Sequence, residues 1–292
     1  MQIQELVSVG AKTTMRIGGQ ARFFAELQTQ ADVEEAVAFA QAKHVPLIVL
    51  GGGSNTIFAD GVIEALVVRL KADALHIDGT TVTVQAGKIL GSLLNELAAQ
   101  DLDLSALTGI PGTVGGAIFG NAGQGFGGTW IDSFVRQVTV FASGQWQRLS
   151  PEACHFRYRE SGFKEMVGPV VVWEVVLDVP RRPGAEVRVE IERLLQRRIE
   201  TQPHVKTAGS CFKSLPDGTP AWKLIDAAGL RGTQVGGVQI AEKHANFLLN
   251  TGGATFADVQ AMTDKIRAAV PQIAGIEMRL YGNDGTLVLP VA

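Results

Sequence analysis

The stretch VLGGGSNTIFADG, residues 49–61, sets Gly51, Gly52 and Gly53 directly after an apolar run and follows them with Ser54, Asn55 and, further on, Asp60. Consecutive glycines give up conformational entropy on folding, so the backbone here must turn tightly or admit something close to it. The spacing is not a G-x-G-x-x-G dinucleotide fingerprint, because the third glycine would fall at Thr56. No G-x-x-x-x-G-K-[ST] occurs either, which excludes a Walker phosphate loop. GGGSN nevertheless has the ingredients of an anion site. Successive main-chain N–H groups can converge on a phosphate, and Ser54 and Asn55 add side-chain donors. A tight loop between two strands is the alternative, and this stretch alone leaves both open.

The sequence around it reads β-α-β over residues 20–70. ARFFAELQ (21–28) alternates, and Thr29 opens a helix with Asp32 three residues on, as in a capping box. Val33, Ala36, Val37 and Ala40 form one face of that helix. VPLIVL (45–50) is a short buried strand and EALVVRL (64–70) another. LHIDGTTVTV (75–84) is a hairpin turned at Asp78-Gly79, followed by a helix with Leu90, Leu93, Leu94 and Leu97 on one face. Residues 105–130 carry little periodic signal. A second hairpin at 135–149 turns near Ser143-Gly144, and PVVVWEVVLDVP (169–180) is a strand. AEVRVEIERLLQRRIE (185–200) is a helix whose basic end suits its dipole. From about residue 200 a further α+β unit holds a short helix at 220–229, strands at 233–240 and 244–250, and a helix opened by Thr255 with Asp258 behind it. Residues 275–290 close the chain as a hairpin.

Bulk composition narrows the possibilities. The 292 residues are 46% hydrophobic and 19% charged, which suits a globular chain of two or three domains. A net charge of -3 gives no general electrostatic reason to bind nucleic acid or a membrane surface. Two cysteines argue against a disulfide framework and fit a reducing compartment. The N-terminus lacks the apolar core of a signal peptide, so a cytoplasmic location is expected. The five histidines show no metal-ligand spacing, so no metal is expected. Glycine is the outlier, with 34 residues concentrated in a few loops.

The second such loop, LTGIPGTVGGAIFGNAGQGFGG (107–128), places nine glycines among Ile110, Val114, Ile118 and Phe119. A linker of this glycine content would be polar and serine-rich, so this one is packed, with its backbone against something flat or anionic. Two such loops fit a dinucleotide lying between them. GGGSN followed by GIPGTVGGAIFGNAG (109–123) resembles the FAD-binding loops of the UDP-N-acetylenolpyruvoylglucosamine reductase family. The likeness continues through FRYRESGFK (156–164), QP and TAGSCFK (202–213), KHANFLLN (243–250) and EMRLYG (277–282), in the family's order.

The resemblance implies an α+β chain: a two-subdomain FAD-binding unit of the vanillyl-alcohol-oxidase type, plus a C-terminal α+β substrate-binding domain. The boundaries expected are 1–70, 71–200 and 201–292, with the final strand free to return to the FAD unit. It implies FAD held by Gly51, Gly52, Gly53, Ser54, Asn55, Gly109, Ile110, Pro111, Gly112, Thr113, Gly115, Gly116, Ala117, Asn121, Ala122 and Gly123. The family reduces an enolpyruvyl ether to a lactyl ether, taking hydride from NADPH through the flavin. Such chemistry needs a cation for the delocalised carboxylate and a proton donor on the face away from the flavin. The resemblance assigns Arg159, Ser210 and Glu277 to catalysis and Tyr158, Lys213 and Ser214 to the substrate. Ser214 departs from the family's usual Asn. Arg159 and Ser210 lie about 50 residues apart, too few for the extra tyrosine-bearing loop of one subclass. The chain therefore resembles the shorter, second type. Cys211 is the competing acid, and His244 is read as structural, with Asn246 setting loop geometry. The expected partners are a UDP-sugar and NADPH, with no nucleic acid or membrane, and a monomer is favoured. A related FAD-dependent oxidase of small alcohols or sugars and a non-catalytic nucleotide-binding module are the alternatives.

Overall fold

The computed structural model describes residues 1–123, 128–273 and 275–288. In chain order these form β1 (Gln4–Ser8), β2 (Gln20–Leu27), α1 (Gln30–Lys43), β3 (Leu47–Val49), β4 (Thr56–Phe58), β5 (Val62–Leu70), β6 (Leu75–Asp78) and β7 (Thr81–Gln85). Then come α2 (Leu90–Ala98), α3 (Val114–Phe119), β8 (Val135–Ala142), β9 (Gln145–Leu149), β10 (Val170–Asp178) and α4 (Gly184–Thr201). The last third holds β11 (Thr207–Ser210), α5 (Ala221–Ala227), β12 (Gln234–Val235), β13 (Val238–Ile240), β14 (Phe247–Asn250), α6 (Phe256–Ala269) and β15 (Arg279–Tyr281). The chain divides into two compact units that do not follow chain order. Met1–Gln2, Ala25–Gly52 and Val68–Arg198 make the first; Ile3–Phe24, Gly53–Val67 and the chain from Ile199 onward make the second.

In the first unit β6, β7, β10, β8 and β9 form an antiparallel sheet in that order. The apolar run of β10 is in the middle because it is buried along most of its length, and only a central strand meets that need on both edges. A register shift between Val172 and Glu174 makes Trp173 the extra residue of a bulge. The α2 stripe of Leu90, Leu93, Leu94 and Leu97 packs into the same core as Val82, Val84, Val138, Val140 and Val175. Both hairpins have two-residue loops. Asp78 pairs with Thr81 across Gly79 (φ 62°), and Ala142 pairs with Gln145 across Ser143 and Gly144 (φ 52° and 77°). The loop of the first is therefore Gly79-Thr80, one residue later than the sequence suggests. Helix α1 begins with a reciprocal capping box, Thr29 Oγ1 accepting the Asp32 N–H at 3.1 Å and Asp32 accepting the Thr29 N–H at 2.9 Å.

In the second unit β11, β14, β13 and β12 form a four-stranded antiparallel sheet. Helix α6 buries Val259, Met262 and Ile266 in a core shared with Phe212, Ile225, Val238, Leu248 and Leu280. β15 pairs in parallel with β4, Arg279 opposite Thr56 and Tyr281 opposite Phe58. The terminal hairpin expected from sequence is present as the bridge between Tyr281 and Leu287, with the Gly282 N–H on Thr286 O at 2.9 Å. The full strand-to-strand ladder of β15, however, is with β4. Several elements were not visible in sequence: the short strands β1, β4 and β11, and α3, hidden in the glycine-rich segment; the single strand read at 233–240 is a pair, β12 and β13.

Asp258 serves two structures at once. It completes the α6 capping box with Thr255 (3.0 and 3.1 Å) and accepts the Gly237 N–H of the β12–β13 turn at 3.2 Å. Replacing Thr255 with Ala should cost about 1 kcal/mol of unfolding free energy, read by urea denaturation. Asp258→Ala should cost more than Thr255→Ala, because the turn loses its anchor together with the cap.

Candidate active site

In the first unit the two glycine-rich segments meet main chain to main chain. A Cβ on Gly51 would lie 2.8 Å from Thr113 Oγ1, and one on Gly52 would lie 2.6 Å from Gly112 Cα. Side chains are thus excluded there by the protein's own second loop. Among the described residues the Gly51 and Gly52 N–H groups have no acceptor. Helix α3 differs. Thr113 caps it by accepting the Gly116 N–H at 3.3 Å. The Val114 and Gly115 N–H groups go to Lys88 O and Ala86 O, both at 2.9 Å, and the Ala117 N–H goes to Thr113 O at 2.9 Å. Its first-turn donors Val114, Gly115 and Gly116 are spent on the fold, whereas those of Gly51 and Gly52 are not. Adjacent main-chain donors of this kind suit the pyrophosphate of FAD.

The rest of the second loop supports the YRES segment. Asn121 is buried with a left-handed backbone (φ 41°). Its Nδ2 donates to Asp132 Oδ2 (3.1 Å) and Arg157 O (3.0 Å), while its Oδ1 accepts the Asp132 N–H (3.3 Å). The Ala122 N–H reaches Ala117 O at 2.8 Å, and Gly123 pairs with Trp130, whose ring leaves no space for a Cβ. Residues 124–127 of this loop lie outside the described residues. Arg157 and Glu160 exchange main-chain hydrogen bonds at 3.0 Å, so Tyr158 and Arg159 form the tip of a tight reversal. The Tyr158 ring meets Trp130 edge-on at 5.1 Å, and the Arg159 guanidinium lies 4.9 Å from the same ring. Arg159 carries a left-handed backbone (φ 58°), unusual for a long side chain, held by Lys164 Nζ on its carbonyl at 2.7 Å.

Next to this reversal is a residue that no sequence motif singles out. Arg198, near the end of α4, donates to Gly109 O at 2.7 Å, and its stem fills the space a Cβ on Gly109 would need. Burial, and then the nearby charge of Arg159, lower its pKa below the usual guanidinium value. Its only trace in sequence was the basic end of α4, which a dipole argument explained equally well. Ile110, followed by Pro111, donates its N–H to Leu107 O at 3.2 Å.

In the second unit Ser210 closes β11, opposite Phe247 and after a register shift at Gly209 (φ 79°). The next residue, Cys211, is clasped on both sides: its N–H donates to Asn246 O at 2.9 Å, and its carbonyl accepts the Glu277 N–H at 2.8 Å. Asn246 is buried and imitates a strand with its side chain, Oδ1 accepting the Phe212 N–H at 3.0 Å and Nδ2 donating to Phe212 O at 2.8 Å. Lys213 continues the run with its N–H on Gly275 O at 2.9 Å, and Ser214 follows half-buried. The Cys211 thiol is fully enclosed, and burial pushes its pKa up to about 12. Enclosed in this way, the thiol does not present a proton at the surface, whereas Ser210 beside it is partly exposed. Gly53 is left-handed (φ 69°) against the Lys12 carbonyl, and half-buried Ser54 separates it from Asn55. The Asn55 amide donates to Glu277 O at 2.8 Å. The first unit thus sets Gly51 and Gly52 against Gly112 and Thr113, and separately ties Asn121 to the reversal that carries Tyr158 and Arg159; the second links Asn55 to Glu277 and Glu277 to the residue after Ser210. Among the described residues no group of three or more His, Cys, Asp or Glu could hold a metal ion, and no helix is long and apolar enough to cross a membrane.

The model of the FAD binding domain family matches residues 21–150. The model of the UDP-N-acetylenolpyruvoylglucosamine reductase C-terminal domain matches residues 202–280. The chain is 38% identical to the UDP-N-acetylenolpyruvoylglucosamine reductase of Paramagnetospirillum magneticum, over 91% of this chain and 86% of that one. It is 37% identical to the enzyme of the same name from Moorella thermoacetica, over 92% and 88%. Among solved structures, the UDP-N-acetylenolpyruvylglucosamine reductase of Thermus caldophilus superposes with a TM-score of 0.83 at 31% identity, covering 96% of this chain and 99% of that one.

Two measurements check this geometry. Gly52→Val drives a side chain into Gly112 and should yield folded protein that has lost its flavin absorbance; retention of stoichiometric flavin would refute the packing. His244, between the rings of Trp222 and Phe247 with Nδ1 accepting the Asn246 N–H at 3.3 Å, has a pKa lowered from 6.5 by burial. The unfolded chain therefore binds the proton more readily than the folded one. Stability should fall as pH drops below 6.5, and His244→Gln should remove that part of the slope in denaturant titrations run on either side of this pH.

Proposed function

Because the chain belongs to the UDP-N-acetylenolpyruvoylglucosamine reductase family and is a flavin-dependent oxidoreductase, we propose that it uses NADPH to reduce UDP-N-acetylenolpyruvoylglucosamine to UDP-N-acetylmuramate. The reaction would serve peptidoglycan precursor synthesis in the cytoplasm. In this reading residues 1–70 and 71–200 hold the cofactor and 201–292 the substrate. The observation that carries it is the clasp at Cys211. One residue's main chain bonds to Asn246 on one side and to Glu277 on the other, so Ser210 and Glu277 emerge from neighbouring backbone although they are distant in sequence.

Bound FAD would supply hydride transfer to the methylene carbon of the substrate. The remaining work falls to side chains of this chain. Arg159 holds the substrate carboxylate, and its planar fork follows the charge as it spreads onto the two oxygens. Its position over Trp130 favours one guanidinium orientation in advance. Tyr158 shares the same ring and lines the substrate side. The Ser210 hydroxyl delivers a proton to the carbon bearing the carboxylate. A serine is a weak acid, but an enediolate-like carbanion is a strong base, so the transfer is not uphill. Glu277 orients these groups, and Lys213 and Ser214 bind the substrate. Cofactor contacts come from the Gly51–Ser54 segment and from the Gly109–Gly123 segment, with Gly51 and Gly52 giving their N–H groups to the pyrophosphate.

Anaerobic addition of NADPH should bleach the flavin, and addition of UDP-N-acetylenolpyruvoylglucosamine should restore its colour. Ser210→Ala should leave the bleaching intact and slow recovery by about 10²–10⁴-fold, the range expected for a lost proton donor. Comparable loss in both half-reactions would assign Ser210 to the fold or flavin instead. Arg159→Lys keeps the charge, loses the two-pronged geometry, and should also be strongly impaired in the recovery step.

A further inference from the structure

We infer that the end of the first glycine loop is a positioning clamp for the two acid–base residues, with Asn55 as one arm and Thr14 as the other. The inference rests on the roles of Ser210 and Glu277 proposed above. Asn55 was expected to face a cofactor, but its amide is engaged elsewhere. Nδ2 donates to Glu277 O at 2.8 Å, and the Asn55 carbonyl accepts the Arg279 N–H at 2.9 Å. The parallel register that sets Thr56 opposite Arg279 continues one residue upstream, with a side-chain amide standing in for a main-chain donor. The Glu277 N–H is meanwhile taken by Cys211 O at 2.8 Å. Both main-chain polar groups of Glu277 are therefore engaged, one by the glycine loop and one by the residue after Ser210. With both flanking peptide planes pinned, the direction in which the Glu277 side chain leaves the backbone is set.

The second arm acts on the serine strand. The Thr14 N–H donates to Gly53 O at 3.0 Å. Its hydroxyl lies 2.6 Å from Thr207 O and 3.3 Å from Gly53 O. One hydroxyl proton serves one acceptor well, and the shorter contact assigns it to Thr207, the first residue of β11. Gly53 has a left-handed backbone and no room for a Cβ, so its carbonyl has little freedom to move away from Thr14. Any shift of the Gly53–Asn55 segment is thereby transmitted to both ends of the proton-transfer pair.

The test separates the two half-reactions in stopped flow on FAD-loaded enzyme. Asn55→Ala should slow reoxidation by the enolpyruvyl substrate at least tenfold more than it slows reduction by NADPH, with the loss in kcat rather than KM; misplacement by about 1 Å is known to have effects up to roughly a hundredfold. Asn55→Asp keeps the shape but turns a carboxylate toward the Glu277 carbonyl, and should be worse than Asn55→Ala. Thr14→Val should show the same split, and Thr14→Ser should return to within about twofold of wild type, because it retains the hydroxyl. This pair decides the matter if Asn55→Ala fails to fold. Equal slowing of both half-reactions, loss of FAD on purification, an Asn55→Asp variant no worse than Asn55→Ala, or no rescue by Thr14→Ser would each overturn the clamp alone. A wild-type reduced enzyme that this substrate does not reoxidise overturns the functional reading and the clamp with it.

Discussion

The second unit depends on the parallel pairing of β4 with β15. Only three residue pairs form it, from Thr56 with Arg279 to Phe58 with Tyr281, yet they join segments more than two hundred residues apart. A ladder this short does not persist on its own hydrogen bonds. Burial holds it: Ile57 and Leu280 have no exposed surface, and Phe58 stacks on Tyr281 at 5.5 Å. Polar ties extend it on the C-terminal side, where Asn283 donates from Nδ2 to Asp60 O at 2.7 Å and Val62 O at 2.9 Å. Asn55 and Glu277 meet because each immediately precedes this pairing or stands one residue further back. Loosening the ladder would part Asn55 from the EMRLYG motif before disturbing either segment internally.

Glycine has two distinct uses in this chain. At Gly52 and Gly53 the missing side chain lets main chain approach main chain, from Gly112 in one case and from Lys12 and Thr13 in the other. At Gly51 and Gly52 it also leaves two N–H groups without a protein acceptor among the described residues, which is what a phosphate group requires. Packing and ligand binding are therefore not rival explanations of the motif. The close approach gives the loop one conformation, and that conformation presents the donors. In the second loop α3 follows the other logic: its glycines allow helix and neighbour to sit close, as Gly115 does on Ala86, while its N–H groups stay within the fold.

Of the eight non-glycine residues with positive φ among the described residues, two, Asn121 and Arg159, lie where chemistry is assigned. Arg159 and Asn121 both hold left-handed conformations that non-glycine residues seldom adopt. Each is surrounded by contacts that over-determine it: Asn121 by Asp132 and Arg157, and Arg159 by Lys164 and Trp130. The same economy appears at Cys211, where a neutral, enclosed thiol fills the space between Ser210 and Phe212 and leaves the serine as the polar group of the pair.

Elements governed by near neighbours along the chain were legible in the sequence. The capping boxes at Thr29 and Thr255, the leucine face of α2 and the turns at Gly79 and Ser143-Gly144 all follow from local spacing and φ preferences. The family-specific motifs were legible as well, since residue types in order survive without geometry. The three-residue β4 was not, because no period shows in so short a run. The six-residue α3 was masked by glycines that lower helix propensity and needed Thr113, Lys88 and Ala86 to fix its start. The tasks of Thr14, Asn55 and Arg198 were equally hidden, since each is defined by a carbonyl far away along the chain. Sequence determined the local elements and offered the candidates for the chemistry, because both rest on residue types a few positions apart. Only tertiary structure decided which main-chain atoms those residues grip, because the parallel closure of β4 on β15 and the approach of Gly52 to Gly112 come from burial across long separations, which no local pattern records.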